Sequence, residues 1–169
     1  MNDSGRRSVA FGIVAVQGIL LAAFLAVPGG EDWAVPRSLS GLASALQVAG
    51  WFVLVVALVG LGRSLTVLPT PAKRSTLKTT GLYRFVRHPI YSGVLAIVLG
   101  GAAASGRVLK LALALALVAL LTGKARWEED MLRRRYTAYD DYAHRTPGFL
   151  PRLPGGVPGR SRRRAPGRR

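Results

Sequence analysis

Two uncharged apolar runs, Val9 to Val27 and Gly41 to Gly62, constrain this chain more than anything else in it. Gln17 is the one clearly polar side chain in the first, and Ser44 and Gln47 are those in the second. Each run is long enough to cross the roughly 30 Å hydrocarbon layer as a helix, the form that satisfies its own backbone there. Ile90 to Ser105 and Val108 to Thr122 are shorter, and only Gly106 and Arg107 separate them, so a tight helical hairpin is expected. Residues 111–121 alternate Leu and Ala, a strand-like period. A lone strand would leave its backbone unsatisfied in lipid, and both residues favour helix, so helix prevails. Ser92, Ala96, Gly100 and Ala104 recur every four residues on the first arm, as do Ala112 and Ala116 on the second. Such stripes let two backbones approach closely, and the two arms are the expected pair. The reading is an all-α integral membrane protein with about four spans (9–27, 41–62, 90–105 and 108–122) in one domain over 1–150.

Charge orients the bundle. Arg6 and Arg7 precede the first run, and Glu31, Asp32 and Arg37 lie after it. Arg63, Lys73, Arg74, Lys78, Arg84 and Arg87 then crowd the third connection with no acid among them. The excess of cations places both termini and this long loop on the cytoplasmic side of a cell membrane; Arg107 and Lys110 in the hairpin turn oppose that and are outnumbered. The segment GRRSVAFG loosely resembles a twin-arginine signal, but no small-residue cleavage pattern follows it, so an uncleaved first span is expected. The net charge of +16 coexists with these apolar runs, so anionic lipid headgroups are the expected partners of the basic loop and tail, ahead of nucleic acid. Residues 151–169, rich in Pro, Gly and Arg, are expected to be disordered. The sequence does not reveal an oligomeric state.

The acids say where chemistry can lie. None occurs between Asp32 and Glu128, which excludes carboxylate metal sites and acid dyads inside the bilayer. With no Cys, thiolate chemistry is excluded as well, and no metal is expected. Acid returns in KARWEEDMLRRRYTAYDDYAHRTP, expected as an amphipathic interfacial helix over 123–144. On a helical wheel, Trp127, Met131, Leu132, Tyr136, Ala138, Tyr139 and Tyr142 form an apolar arc with Glu128 and Arg135 inside it and Glu129 at its edge. A charge on a buried face needs a partner or a ligand, and two readings stay open: an ion pair of Glu128 with an arginine such as Arg87, or a bound ligand.

GLYRFVRHPIYSG, residues 81–93, is the second polar block. Proline after histidine at a helix start places the imidazole at the end that attracts anions, so Arg84, Arg87 and His88 together suit a carboxylate or phosphate. The bland alternative is a topology and headgroup anchor.

This block closely resembles the GPYRxVRHPxYxG signature of membrane methyltransferases related to isoprenylcysteine carboxyl methyltransferase and the bacterial phospholipid N-methyltransferases, with Leu82 at the usual Pro position. ARWEEDML and YTAYDDYAHRTPGFLP are similar to that family's second block, and the resemblance runs over residues 60–151. It implies methyl transfer from S-adenosylmethionine to a hydrophobic or lipid acceptor entering from the bilayer, by carboxyl O- or amine N-methylation. It further implies that Tyr83, Arg87, His88, Pro89, Tyr91, Glu128 and Glu129 hold the cofactor and that Arg126 and Glu129 serve the catalytic subsite. Two alternatives stand beside it: an NADPH-dependent membrane sterol reductase with a similar helical core, and a non-catalytic membrane adaptor.

Overall fold

The computed structural model describes residues 3–62 and 77–151, and every described element is helical. The order is α1 (Asp3–Ala26), α2 (Arg37–Leu61), one 3-10 turn (Gly81–Arg84), α3 (Pro89–Ser105), α4 (Val108–Arg135) and the short α5 (Tyr139–Arg145). Three helices, α1, α2 and α4, are long and apolar enough to cross a membrane, and α3 is a shorter apolar helix. At 1.5 Å per residue α3 measures about 25 Å, just under the hydrocarbon thickness. Large apolar side chains such as Phe11, Ile19, Leu42, Trp51, Phe52 and Val59 point outward from α1 and α2. Water would penalise so much exposed hydrocarbon, whereas lipid does not. The chain is therefore an all-α integral membrane protein.

α2 and α3 pack antiparallel with their backbones almost touching. A methyl group on Gly50 would lie 2.8 Å from the Gly93 carbonyl oxygen, and one on Gly100 only 2.6 Å from that of Ala43. The small-residue stripe of α3 thus works as expected, but against α2 and not the return arm of the hairpin. Ala112 and Ala116 face outward, whereas α4 turns Ala114, Leu117 and Leu121 inward. Phe24, Val98, Ala102, Ala114 and Leu117 form the core where α1, α3 and α4 meet.

At one end of the bundle the connection between α1 and α2 is locked to the hairpin turn. Gly106 adopts a left-handed conformation (φ 60°) that ends α3. Gly30 N–H donates to Ser105 O (2.8 Å), Asp32 N–H donates to Gly106 O (2.9 Å), and the Asp32 carboxylate accepts from Val108 N–H (2.8 Å). Helix direction then puts the start of α1, the end of α2, the start of α3 and the end of α4 together at the opposite end.

Two expectations about the C-terminal part need correction. No separate interfacial helix spans 123–144: α4 continues unbroken to Arg135, then Tyr136 turns extended (φ −123°, ψ 114°) and α5 begins at Tyr139. The reason is that Lys124 to Arg135 contains neither Gly nor Pro, so nothing interrupts the helix begun in the bilayer. At 28 residues, about 42 Å, α4 overshoots the membrane and carries its acids beyond it. The helices α1 and α2 likewise start earlier than their apolar runs. The basic-loop residues Arg63, Lys73 and Arg74 and the tail from 152 onward lie outside the described residues.

Candidate functional site

The polar cluster forms where the overshooting end of α4 meets the start of α3. His88 caps α3 and Pro89 supplies its first turn, where a missing N–H costs nothing. From the other side the segment after α5 straps across the same point: Arg87 N–H donates to Pro147 O (2.8 Å) and His88 N–H to Gly148 O (3.0 Å). Ser92 Oγ adds a bond to Phe149 O (2.6 Å). The strap closes the site from the polar side.

Glu129 is the hub. Its Oε1 accepts from Arg87 Nε (2.9 Å) and His88 Nε2 (2.9 Å) and lies 2.9 Å from Arg87 Nη2. Arg133 Nη2 approaches Oε2 at 3.3 Å. The remaining Arg87 nitrogen, Nη1, donates to Ala143 O (2.9 Å) and Thr146 O (2.5 Å), carbonyls of α5 and its C-cap. The Arg87 guanidinium is therefore fully engaged in tying α3, α4 and α5 together. The ion pair that the wheel assigned to Glu128 and Arg87 belongs to Glu129, one residue on. Extending the helix to 144 rotated the inferred buried face, because Tyr139 and Tyr142 belong to a different helix from Glu128.

Glu128 faces the neighbouring space. Its Oε1 accepts from the Tyr91 hydroxyl (2.5 Å), and its Oε2 lies 3.8 Å from His88 Nδ1, too far for a hydrogen bond. With His88 Nε2 donating to Glu129, a neutral ring presents Nδ1 as an acceptor toward a second acceptor. The His88 and Tyr91 rings stack at 5.4 Å and 2°, and Phe149 tilts against His88 at 5.6 Å. Tyr83 completes this corner through its backbone, whose carbonyl accepts from Tyr142 Oη (2.5 Å). Burial, then Tyr142 and Glu128, push the Tyr83 phenol up to about 12. Tyr142 also rises to about 12, mainly by burial. Both phenols stay neutral donors at physiological pH.

Of the residues singled out from sequence, Arg87, His88, Pro89, Tyr91, Glu128 and Glu129 come together, with Tyr83 beside them. Arg126 does not: two residues from Glu128 it lies about 200° around α4, and it is exposed. Lys124, which the sequence reading passed over, does join. It is 7% exposed, its Nζ donates to Gln17 Oε1 (2.8 Å) and lies 5.1 Å from the Tyr91 ring centroid. Its spacing of four from Glu128 was the available signal.

The arrangement has carboxylate, imidazole, phenol and ammonium groups on an aromatic wall, at the polar end of a lipid-embedded bundle. Such a set suits a small zwitterionic or cationic ligand better than a metal. Among the described residues no three His, Cys, Asp or Glu side chains gather as metal ligands would.

Comparison with known proteins agrees with the placement of this cluster. The nickel-cobalt-cadmium resistance protein NccN of Alcaligenes xylosoxydans xylosoxydans is 38% identical over 114 residues, covering 66% of this chain and 53% of its own length. The cobalt-zinc-cadmium resistance protein CzcN of Cupriavidus metallidurans is 38% identical over 82 residues, 48% of this chain and 38% of its own. The chain thus spans about half or less of these relatives. Residues 39–139 match the phospholipid methyltransferase family, a stretch that holds both halves of the cluster, from Tyr83 to Tyr91 and from Lys124 to Glu129. With more than half its length matched, the chain belongs to the phospholipid methyltransferase family.

Proposed function

We propose that this chain binds S-adenosylmethionine in the cluster and transfers its methyl group to a hydrophobic acceptor reached from the bilayer, at the cytoplasmic face. The observation that carries the reading is Glu128, held by Tyr91 and facing His88 Nδ1, at the mouth of a bundle open to lipid. Two acceptors 3.8 Å apart suit the N–H or O–H donors of an amino acid or ribose, and the aromatic faces of His88, Tyr91 and Phe149 suit a sulfonium or an adenine. Bound there, S-adenosylmethionine would supply a methyl already activated on sulfur.

The protein's part is then alignment and exclusion of water. Tyr91 and His88 hold the Glu128 carboxylate in one orientation. Glu129, fixed by Arg87, His88 and Arg133, positions His88 and keeps the strap closed. Arg126, exposed at the helix edge, reaches an acceptor from outside the cluster if it serves one. The resistance in the relatives' names is said of those longer proteins and does not itself assign an acceptor here.

Calorimetry on the purified chain in a neutral detergent tests the reading before any acceptor is known. S-adenosylmethionine should bind, Glu128→Gln should weaken it about tenfold or more through loss of a charge-assisted bond, and Asp130→Asn, on the exposed side, should change nothing. Binding of NADPH in preference would favour a reductase, and binding of neither would favour an adaptor; each overturns the proposal.

A further inference from the structure

The reaction as proposed leaves one buried charge unused. Lys124 is more than nine-tenths buried in a bundle that faces lipid, yet its oxygen partner is the neutral amide of Gln17, with the Tyr91 ring on another side. An ammonium carries three donors, and burying one against neutral dipoles is costly unless an anion joins it. A lysine near a helix end ordinarily extends its amine toward water. Lys124 points the other way: Gln17 lies in the middle of the uncharged Val9–Val27 run of α1, so the ammonium sits on the bilayer side of the cluster. It is one turn from Glu128 on the same face of α4 and lies over the ring of Tyr91, whose hydroxyl holds Glu128. The amine therefore borders both the cofactor region and the hydrocarbon.

We infer that Lys124, steadied by Gln17, is the subsite for an oxyanion at the head of a hydrocarbon chain, a carboxylate or phosphate borne by the methyl acceptor. This rests on the proposed function and narrows it to an anionic lipid-like acceptor. A free solute anion is a poor fit, since the ammonium is approached alongside apolar helices. The subsite draws α1, which lies outside the stretch matched to the family, into substrate recognition. Lys124 is a specificity-determining residue that holds the acceptor's head while the chain remains in lipid.

The test uses the full chain in neutral detergent, with oleate and dodecyl phosphate as chain-bearing probes and inorganic phosphate and oleyl alcohol as comparisons. Oleate or dodecyl phosphate should bind and the comparisons should not; which of the two binds tighter identifies the headgroup chemistry. Lys124→Gln should weaken that binding about tenfold or more while leaving S-adenosylmethionine affinity unchanged, and Lys124→Arg should restore most of it. Gln17→Ala, which releases α1 but keeps the ammonium, should retain the probe. Four results would overturn the inference: unchanged probe binding in Lys124→Gln, equal binding of inorganic phosphate, a parallel loss of S-adenosylmethionine affinity that assigns the amine to the cofactor, or equal losses in Lys124→Gln and Gln17→Ala that make the pair a mere helix tether. None of these touches the proposed function, which fails separately if the wild-type chain does not bind S-adenosylmethionine.

Discussion

Adjacent glutamates take different work because α4 rotates 100° between them. Glu129 turns into the seam with α3 and α5 and collects two arginines and a histidine, while Glu128 turns toward the aromatic wall and receives one phenol. Removing the first charge leaves Arg87 and His88 buried without their anion, whereas removing the second leaves a tyrosine able to donate elsewhere. Glu129→Gln should cost about 3 kcal/mol, the loss expected when one member of a buried pair is taken away, and should lower the melting temperature markedly. Glu128→Gln should melt close to wild type. Thermal denaturation of the two variants in the same detergent decides; equal melting temperatures would mean that the arginine cluster is solvated and not a structural tie.

At the scale of elements, the closest contact is between α2 and α3, and glycine makes it possible. Any side chain on Gly100 meets the Ala43 carbonyl, while Gly41 one turn away has open space around it. Gly100→Ala should therefore destabilise by about 1–3 kcal/mol through forced separation, and Gly41→Ala should be neutral or slightly stabilising through helix propensity. A neutral Gly100→Ala in the same denaturation assay would show that the two helices are not in contact there. The spans, the hairpin and the two polar blocks were legible in the sequence because apolar run length and local motif need no partner to be read. The partner of the small-residue stripe was not, since every-four spacing marks a close face without saying which helix meets it. Nor was the Glu129 assignment, which depended on where α4 stops. That stop at Tyr136 follows from α5 docking under Arg87, a contact between residues more than fifty positions apart. Lys124 was hidden for a related reason: its partner lies on α1, at the far end of the sequence.

For the whole molecule, the fold resolves the one discrepancy in the charge pattern. The cations Arg107 and Lys110 sit at the end opposite the cluster, where the positive-inside rule disfavours them. Arg107 pairs with Asp32 (3.6 Å) and donates to Gly29 O (3.2 Å), and the Lys110 ammonium lies 5.3 Å from the Phe24 ring centroid, so the turn is largely neutralised within the structure. The cluster end keeps Lys78, Arg84, Arg133, Arg134 and Arg135, and both residue 3 and residue 151 lie at that end. Net positive charge therefore accumulates on the face that bears the site, which is the physical ground for placing it in the cytoplasm. Single cysteines are a clean probe because the chain has none of its own. Introduced at Ser38 and at Thr137, both exposed and at opposite ends of the bundle, they should react differently with a membrane-impermeant maleimide on intact cells. Ser38→Cys should label at once, and Thr137→Cys only after the membrane is opened. Labelling of Thr137→Cys from outside, with Ser38→Cys protected, would invert the bundle and put the site on the outer face, away from the cytoplasmic pool that a methyl donor would come from.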